Sequence, residues 1–207
     1  MNAIATPQLW IIGGPNGAGK TRYALTHIRD VTGSARFINL DEIARGYSPL
    51  EPAAGQVDAA RTALQRVKDF ISGKTLNGNP IVTLETTLSG QTYLRLAKQA
   101  VEKGMEVHLL YFVIASPEVS RQRVAQRVRE GGHDVPEVDI VRRFPRSMAN
   151  VRCYIDFVST WRVFDNSQAE PRLVAQGRTG CRAGELDEEN TVPASLVADL
   201  QALPVCA

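Results

Sequence analysis

The sequence predicts an α/β fold, a doubly wound and mainly parallel sheet of about five strands with helices on both faces, and three observations carry that expectation. Short apolar runs alternate with amphipathic stretches of helical period in the order βαβαβαβ. The first run, Leu9-Trp10-Ile11-Ile12, leads straight into a glycine-rich turn and a helical stretch. The most apolar run, Val107 to Ile114, shows almost no polar alternation, as a strand covered on both faces requires.

The elements follow in order. After Leu9–Ile12, the run Tyr23-Ala24-Leu25 to Ile28 gives a helix opening at Gly19 and ending near Gly33. Ala35 to Asp41 reads as a second strand ending in an acid. A long helical stretch comes next, its apolar positions Ala60, Leu64, Val67, Phe70 and Ile71 recurring at three- and four-residue steps; Gly73 and Asn77-Gly78-Asn79-Pro80 end it. Ile81 to Thr87 is a third strand, Gln91 to Lys103 a helix stopped by Gly104, and Val107 to Ile114 the fourth strand. Pro117 to Arg129 is helical and arginine-rich, Gly131-Gly132 breaks it, and a second helical tract runs from Pro136 to about Phe157 with an interruption expected at Pro145. This arginine-rich region, about 117–150, is where a lid is expected. Trp161–Asn166 and Arg172–Ala175 resemble two closing strands. Gly180 to Asn190 is polar, and Leu196, Val197, Leu200 and Leu203 suit a short final helix docked on the body.

At 207 residues one well-buried domain is expected. A net charge of +2 argues against a protein that coats nucleic acid and leaves room for a local basic site. Cys153, Cys181 and Cys206 are odd in number and form no C-x-x-C pair, so neither a disulfide framework nor a thiolate metal site is expected, and a reduced cytoplasm fits. Met1 to Thr6 carry no basic leader, and no apolar run approaches the ~20 residues of a membrane helix.

Gly14-Pro15-Asn16-Gly17-Ala18-Gly19-Lys20-Thr21 fits G-x-x-x-x-G-K-[ST] in full, in the strand-to-helix context that motif needs. Backbone N–H groups of such a loop cradle phosphate, the lysine reaches the β/γ-phosphates, and the threonine hydroxyl takes Mg²⁺. ATP and Mg²⁺ are therefore the expected cofactors, with the P-loop NTPase/kinase fold as the class and Thr21 as the metal residue. The loop does not itself choose between a kinase, an energy-transducing ATPase and a switch. Phe37 to Glu42 mimics the second ATPase acid but follows the loop after only about one helix, and Val107 to Ser116 carries no acid. A kinase uses the acids better. Asp41 would orient an acceptor hydroxyl on the γ-phosphate, although an Asp at that point serves equally as a helix N-cap. Glu85 would hold the acceptor or a metal-bound water, or be a solvated strand end. Arg121, Arg123, Arg127, Arg129, Arg142, Arg143 and Arg146 are seven cations, most of them ordinary helix charges. Arg123 and Arg127, four apart on one helix face, are the first candidates to close over the triphosphate. His27, His108 and His133 have no metal-ligand spacing.

The P-loop octamer, Asn39-Leu40-Asp41-Glu42-Ile43-Ala44, Leu84-Glu85-Thr86-Thr87-Leu88-Ser89-Gly90, Arg127-Val128-Arg129-Glu130-Gly131-Gly132-His133 and Asp165-Asn166-Ser167 together resemble the zeta-toxin-like P-loop kinases over about Leu9 to Ser167. That family includes toxins of toxin–antitoxin systems that phosphorylate UDP-N-acetylglucosamine with ATP. The resemblance implies a kinase domain over 1–179 and a polar linker with a helical tail over 180–207. It also implies Lys20 on phosphate, Asp41 as the acceptor's base, Glu85 and Thr86 at the acceptor pocket, and an arginine near Arg127 on ATP. A separate antitoxin protein is the implied partner. A metabolic small-molecule or nucleotide kinase, a polynucleotide 5′-hydroxyl kinase and a non-enzymatic nucleotide-binding module are the other readings.

Overall fold

The structure, a computed structural model, is described for residues 5–48, 50, 54–74, 79–187 and 191–206. Asn77 and Gly78, expected to end a helix, lie outside the described residues, as do residues 1–4 of the leading segment and 188–190 of the polar tract. Seven strands form one sheet in the order β2-β3-β1-β4-β5-β6-β7. These are β1 (Gln8–Gly13), β2 (Phe37–Ile38), β3 (Ile81–Thr86), β4 (Glu106–Val113), β5 (Thr160–Asp165), β6 (Arg172–Arg178) and β7 (Cys181–Arg182). The first five in spatial order are parallel and the last two antiparallel. The expected parallel sheet is thus present, with β6 and β7 added along one edge.

The helices are α1 (Lys20–Thr32), α2 (Leu40–Tyr47), α3 (Gln56–Ile71), α4 (Thr92–Glu102), α5 (Pro117–Arg129), α6 (Glu137–Ile155) and α7 (Ala194–Gln201). Leu9, Ile11, Ile12, Leu109, Leu110, Phe112 and Val113 make the centre of the core, where β1 and β4 are covered on both faces. Strand order reverses at β1, which pairs with β3 on one side and β4 on the other. A crevice opens outside the carboxyl ends of the strands at such a switch point. Among the described residues no helix is long and apolar enough to cross a membrane.

Several local expectations are corrected. The second strand shrinks to Phe37–Ile38 because the Asn39 side chain accepts a hydrogen bond from Glu42 N at 3.0 Å, starting α2 at Leu40. Asp41 therefore sits in the first turn of a helix and is not its cap. The long helical stretch is two helices. Ser48 caps α2 with φ −141° and ψ 86°, and it precedes Pro49, whose ring disfavours α geometry in the residue before it. Along α3 the buried face is Ala59, Ala63, Val67, Phe70 and Ile71, so the apolar phase expected from Ala60 and Leu64 is off by one at its start. Helix α6 runs unbroken through Pro145. Its buried Phe144, Met148, Val151, Tyr154 and Ile155 outweigh a local proline cost of about 3 kcal/mol.

The polar tract after Gly180 contains β7, and Cys181 on that strand is disulfide-bonded to Cys206, with Cα atoms 5.1 Å apart. This overturns the expectation of no disulfide. The returning segment lies along β7, where Cys206 N donates to Arg182 O at 2.7 Å and Arg182 N to Pro204 O at 2.8 Å. Nothing in the cysteine spacing signals that approach, and the exposed Cys153 makes the count odd. The compartment argument built on unpaired cysteines loses its premise. Between the two cysteines, Leu196, Leu200 and Leu203 join the main core.

Candidate active site

The loop from Gly14 to Thr21 leaves β1 and enters α1, so its N–H groups and the positive end of the helix face the crevice. Gly17 and Gly19 adopt φ +73° and +79°, conformations that a side chain would strain. A Cβ at Gly19 would also overlap Asn166 Nδ2. The loop is held from outside. Asn166 Nδ2 donates to Ala18 O at 2.9 Å, and Ser120 Oγ on α5 donates to Asn16 O at 2.5 Å. Lys20 is buried, its Nζ donating to Pro15 O at 2.8 Å. Burial lowers its pKa, against the opposing pull of Glu85 and Asp41.

Glu85, near the end of β3, accepts from Thr21 Oγ1 at 2.8 Å on one oxygen and from Asn39 Nδ2 at 2.6 Å on the other. Burial raises its pKa, and Lys20, Thr21 and Asn39 hold that rise in check. The carboxylate is thus joined to the hydroxyl expected to face Mg²⁺ and is not a solvated strand end. Asp41, on α2, lines the same cleft and lies 3.7 Å from His133 Nε2, with 36% of its side chain exposed. Thr86 lines the same cleft, its Oγ1 accepting from Leu88 N at 3.3 Å. Leu88 has φ +56° while fully buried, and Asn150 Nδ2 donates to its carbonyl at 2.6 Å. Such a left-handed non-glycine residue costs of order 1 kcal/mol or more and persists only where its surroundings fix it.

The two leading arginines have different surroundings. Arg123 also lines the cleft but is committed to the protein: it donates to Asn166 O at 2.6 Å, Ser167 O at 2.8 Å and Gly17 O at 3.5 Å, tying α5 to the end of β5 and to the phosphate loop. Arg127 lines the cleft with Nε and Nη2 buried and without a hydrogen-bond partner among the described residues. Arg121 is paired with Glu137 and Glu118 on the surface. Arg142 and Arg143 share Asp139, at 2.5 and 3.1 Å, and line the cleft with Arg146. Sequence reasoning missed Asn39, Ser120, Asn150 and the His133–Asp41 approach; only the N-cap pattern at Asn39 left a readable local signal.

The cleft these residues enclose measures about 1480 Å³, and the turn 131–136 between α5 and α6 forms one of its walls. Among the described residues no group of three or more His, Cys, Asp or Glu side chains is arranged to hold a metal.

A family model described as an AAA domain, AAA_33, matches residues 9–143. The chain belongs to this family. An uncharacterized protein of Haemophilus influenzae is 35% identical over 144 residues, 65% of this chain and 95% of its own length. The crystal structure of AvrRxo1-ORF1:-ORF2 with ATP is similar with a TM-score of 0.67 and 22% identity, over 98% of this chain. This chain spans 66% of that one. A structure of the PezAT chromosomal toxin–antitoxin system of Streptococcus pneumoniae is similar with a TM-score of 0.61 and 20% identity, over 98% of this chain and 79% of that one. At these identities the likeness is one of fold. The AAA_33 domain here has the α/β P-loop fold with a mainly parallel sheet that the sequence predicts.

Proposed function

We propose that the chain is an ATP-dependent phosphotransferase that moves the γ-phosphate to a hydroxyl of a small acceptor, a UDP-amino-sugar such as UDP-N-acetylglucosamine. The observation that carries this reading is the presence of a second carboxylate, Asp41, lining the same cleft as Lys20 and Glu85 and close enough to act on the charge of both. A module that only bound nucleotide would need no such second acid. The cleft of about 1480 Å³ also exceeds the usual ~300–1,000 Å³ of a single small-molecule site, leaving room for an acceptor beside ATP.

The residues present fit ATP and Mg²⁺. Gly17 and Gly19 keep the cradle free of side chains, Arg127 offers two buried donors without partners among the described residues, and Thr21 and Glu85 form a hydroxyl–carboxylate pair at the loop's end. Mg²⁺ bound with the triphosphate would supply charge neutralisation at the transferring group. Lys20 and Arg127 add positive charge there, residues 14–19 orient the phosphates, Glu85 fixes Thr21, and Asp41 takes the acceptor's proton. Glu85 and Thr86, at the end of β3, line the cleft where the acceptor would bind. The likeness in fold to AvrRxo1-ORF1:-ORF2 and to the PezAT toxin–antitoxin system supports a toxin role with a separate protein partner.

The test is pure protein with labelled ATP-Mg²⁺ and separate pools of UDP-sugars, dinucleotides and oligonucleotides. Label should enter UDP-N-acetylglucosamine and vanish with Asp41→Asn at unchanged melting temperature, because Asn39 and not Asp41 caps α2. Label in a different hydroxylated metabolite alone overturns the UDP-sugar acceptor. Release of free phosphate with no labelled acceptor overturns the transferase.

A further inference from the structure

His133 occupies the turn between α5 and α6, directly after the Gly131-Gly132 break, and its side chain lines the cleft. Nε2 stands 3.7 Å from Asp41 Oδ1 on α2 and 3.4 Å from Gln56 Nε2 on α3. The imidazole keeps 19% of its surface exposed and so sits among these partners rather than in solvent. One ring nitrogen thus faces two elements. Carrying a proton, Nε2 donates toward the Asp41 carboxylate; bare, it accepts from the Gln56 amide.

We propose that His133 is the positioning residue for Asp41: Nε2, 3.7 Å from Oδ1 in this structure, closes to an Nε2–H hydrogen bond on Oδ1 when the α5–α6 turn settles over the cleft, which leaves Oδ2 as the oxygen for the acceptor's proton. This rests on the phosphotransferase reading above. The physical ground is orientation. Asp41 is more than a third exposed, and among the described residues no other side chain is recorded within hydrogen-bond or ion-pair reach of its carboxylate. A carboxylate free to rotate is a poor general base, since the proton must pass along one fixed direction at about 2.6–3.2 Å. Nothing on α2 supplies that restraint, so it comes from the facing turn. Gly132 N donates to Arg127 O at 2.8 Å, so the histidine's turn leaves directly from the end of α5 that carries Arg127.

The experiment compares His133→Leu, which removes the donor, with His133→Gln, whose amide can place an N–H near the same point. His133→Leu should lower kcat about 10- to 100-fold with the KM for ATP within about twofold, and His133→Gln should recover most of the loss. In an Asp41→Asn background His133→Leu should add little further loss, as expected of two groups acting as one. The imidazole nitrogen resonances of His133, read at fixed pH, should shift on Asp41→Asn. A His133→Leu enzyme with wild-type kcat, a His133→Gln variant as slow as His133→Leu, or losses that multiply with Asp41→Asn each overturn the positioning role. Unmoved His133 resonances overturn the pairing whatever the activity. A wild-type protein that labels no acceptor overturns the phosphotransferase reading instead, and the resonances still decide the pair.

Discussion

Thr21 Oγ1 donates a 2.8 Å hydrogen bond to Glu85 Oε1, joining the first turn of α1 to the end of β3. The hydroxyl that closes the phosphate loop and the acid on the neighbouring strand are therefore one unit, with Asn39 holding the second carboxylate oxygen. In the proposed function Thr21 would face Mg²⁺, and a partner one step out from a metal sets the direction of the group that binds it, its loss typically costing 10- to 100-fold in metal affinity or rate. Glu85→Gln should accordingly raise the Mg²⁺ concentration for half-maximal transfer by about 10-fold or more. A Mg²⁺ titration that is unchanged separates Glu85 from the metal.

The buried Lys20 gives a pH-dependent signature. Burial lowers its folded pKa below the ordinary lysine value of about 10.4, so the unfolded chain binds more protons in the window between the two. Stability contributed at this site is lowest below the folded pKa and rises with pH until the unfolded lysine has titrated. Lys20→Met removes the effect. The stability of the wild type relative to Lys20→Met should therefore rise toward about pH 10, in denaturant unfolding of the ligand-free proteins, while the variant transfers no phosphate. A gap that stays constant with pH contradicts a buried charged lysine.

Glu85 behaves in the opposite sense. Its folded pKa is raised, by burial first, so the folded state keeps the proton to higher pH than the unfolded state does. Its contribution is greatest below the ordinary carboxylate range of about 4.3 and declines as pH climbs through the folded pKa. The stability of the wild type relative to Glu85→Gln should fall across that interval, the reverse of the Lys20 profile. A difference that rises with pH places the carboxylate in a charge-stabilising environment and rejects this account.

Arg123 and Arg127 separate by measurement. Arg123→Ala removes hydrogen bonds to the Asn166 and Ser167 carbonyls and should destabilise the fold by about 2 kcal/mol, as charged-donor bonds do. Arg127→Ala removes no hydrogen bond recorded among the described residues. It should leave the melting temperature nearly unchanged and lower kcat by about 10²-fold, more than it weakens ATP, because its contact strengthens as charge develops. Equal losses from alanine at Arg121, Arg123, Arg127, Arg142, Arg143 and Arg146 would instead mark a diffuse basic surface.

The parallel sheet and the phosphate loop were legible because their signals are local and strong: continuous apolar strands, and a loop whose glycines, lysine and threonine have one spacing. Asp41 and Glu85 were singled out from their places after strand-like runs, and both line the cleft. The difference between Arg123 and Arg127 was not, since the carbonyls that hold Arg123 come from residues 43 and 44 positions away. His133 was unreadable for the same reason, its partner being on α2. Pro145 misled because a local propensity cannot register the tertiary burial of the helix face around it.

The Cys181–Cys206 bond closes a segment with a sequence separation of 25 that contains Thr191 and α7. Thr191 N and Oγ1 donate to Asp165 Oδ2 at 2.7 and 2.8 Å, and Leu196 and Leu200 pack into the main core. The crosslink therefore restrains a part of the chain whose native contacts are extensive, and its effect is to limit the unfolded ensemble. For a loop of this size the loss on opening is about 3 kcal/mol, which in a chain of roughly 200 residues corresponds to about 6–12 °C in melting temperature. Cys181→Ser with Cys206→Ser, or reductant on the wild type, should produce that drop, with kcat at 20 °C within about twofold because neither cysteine lines the cleft. Melting curves that coincide with and without reductant show that the bond does not hold this segment in solution.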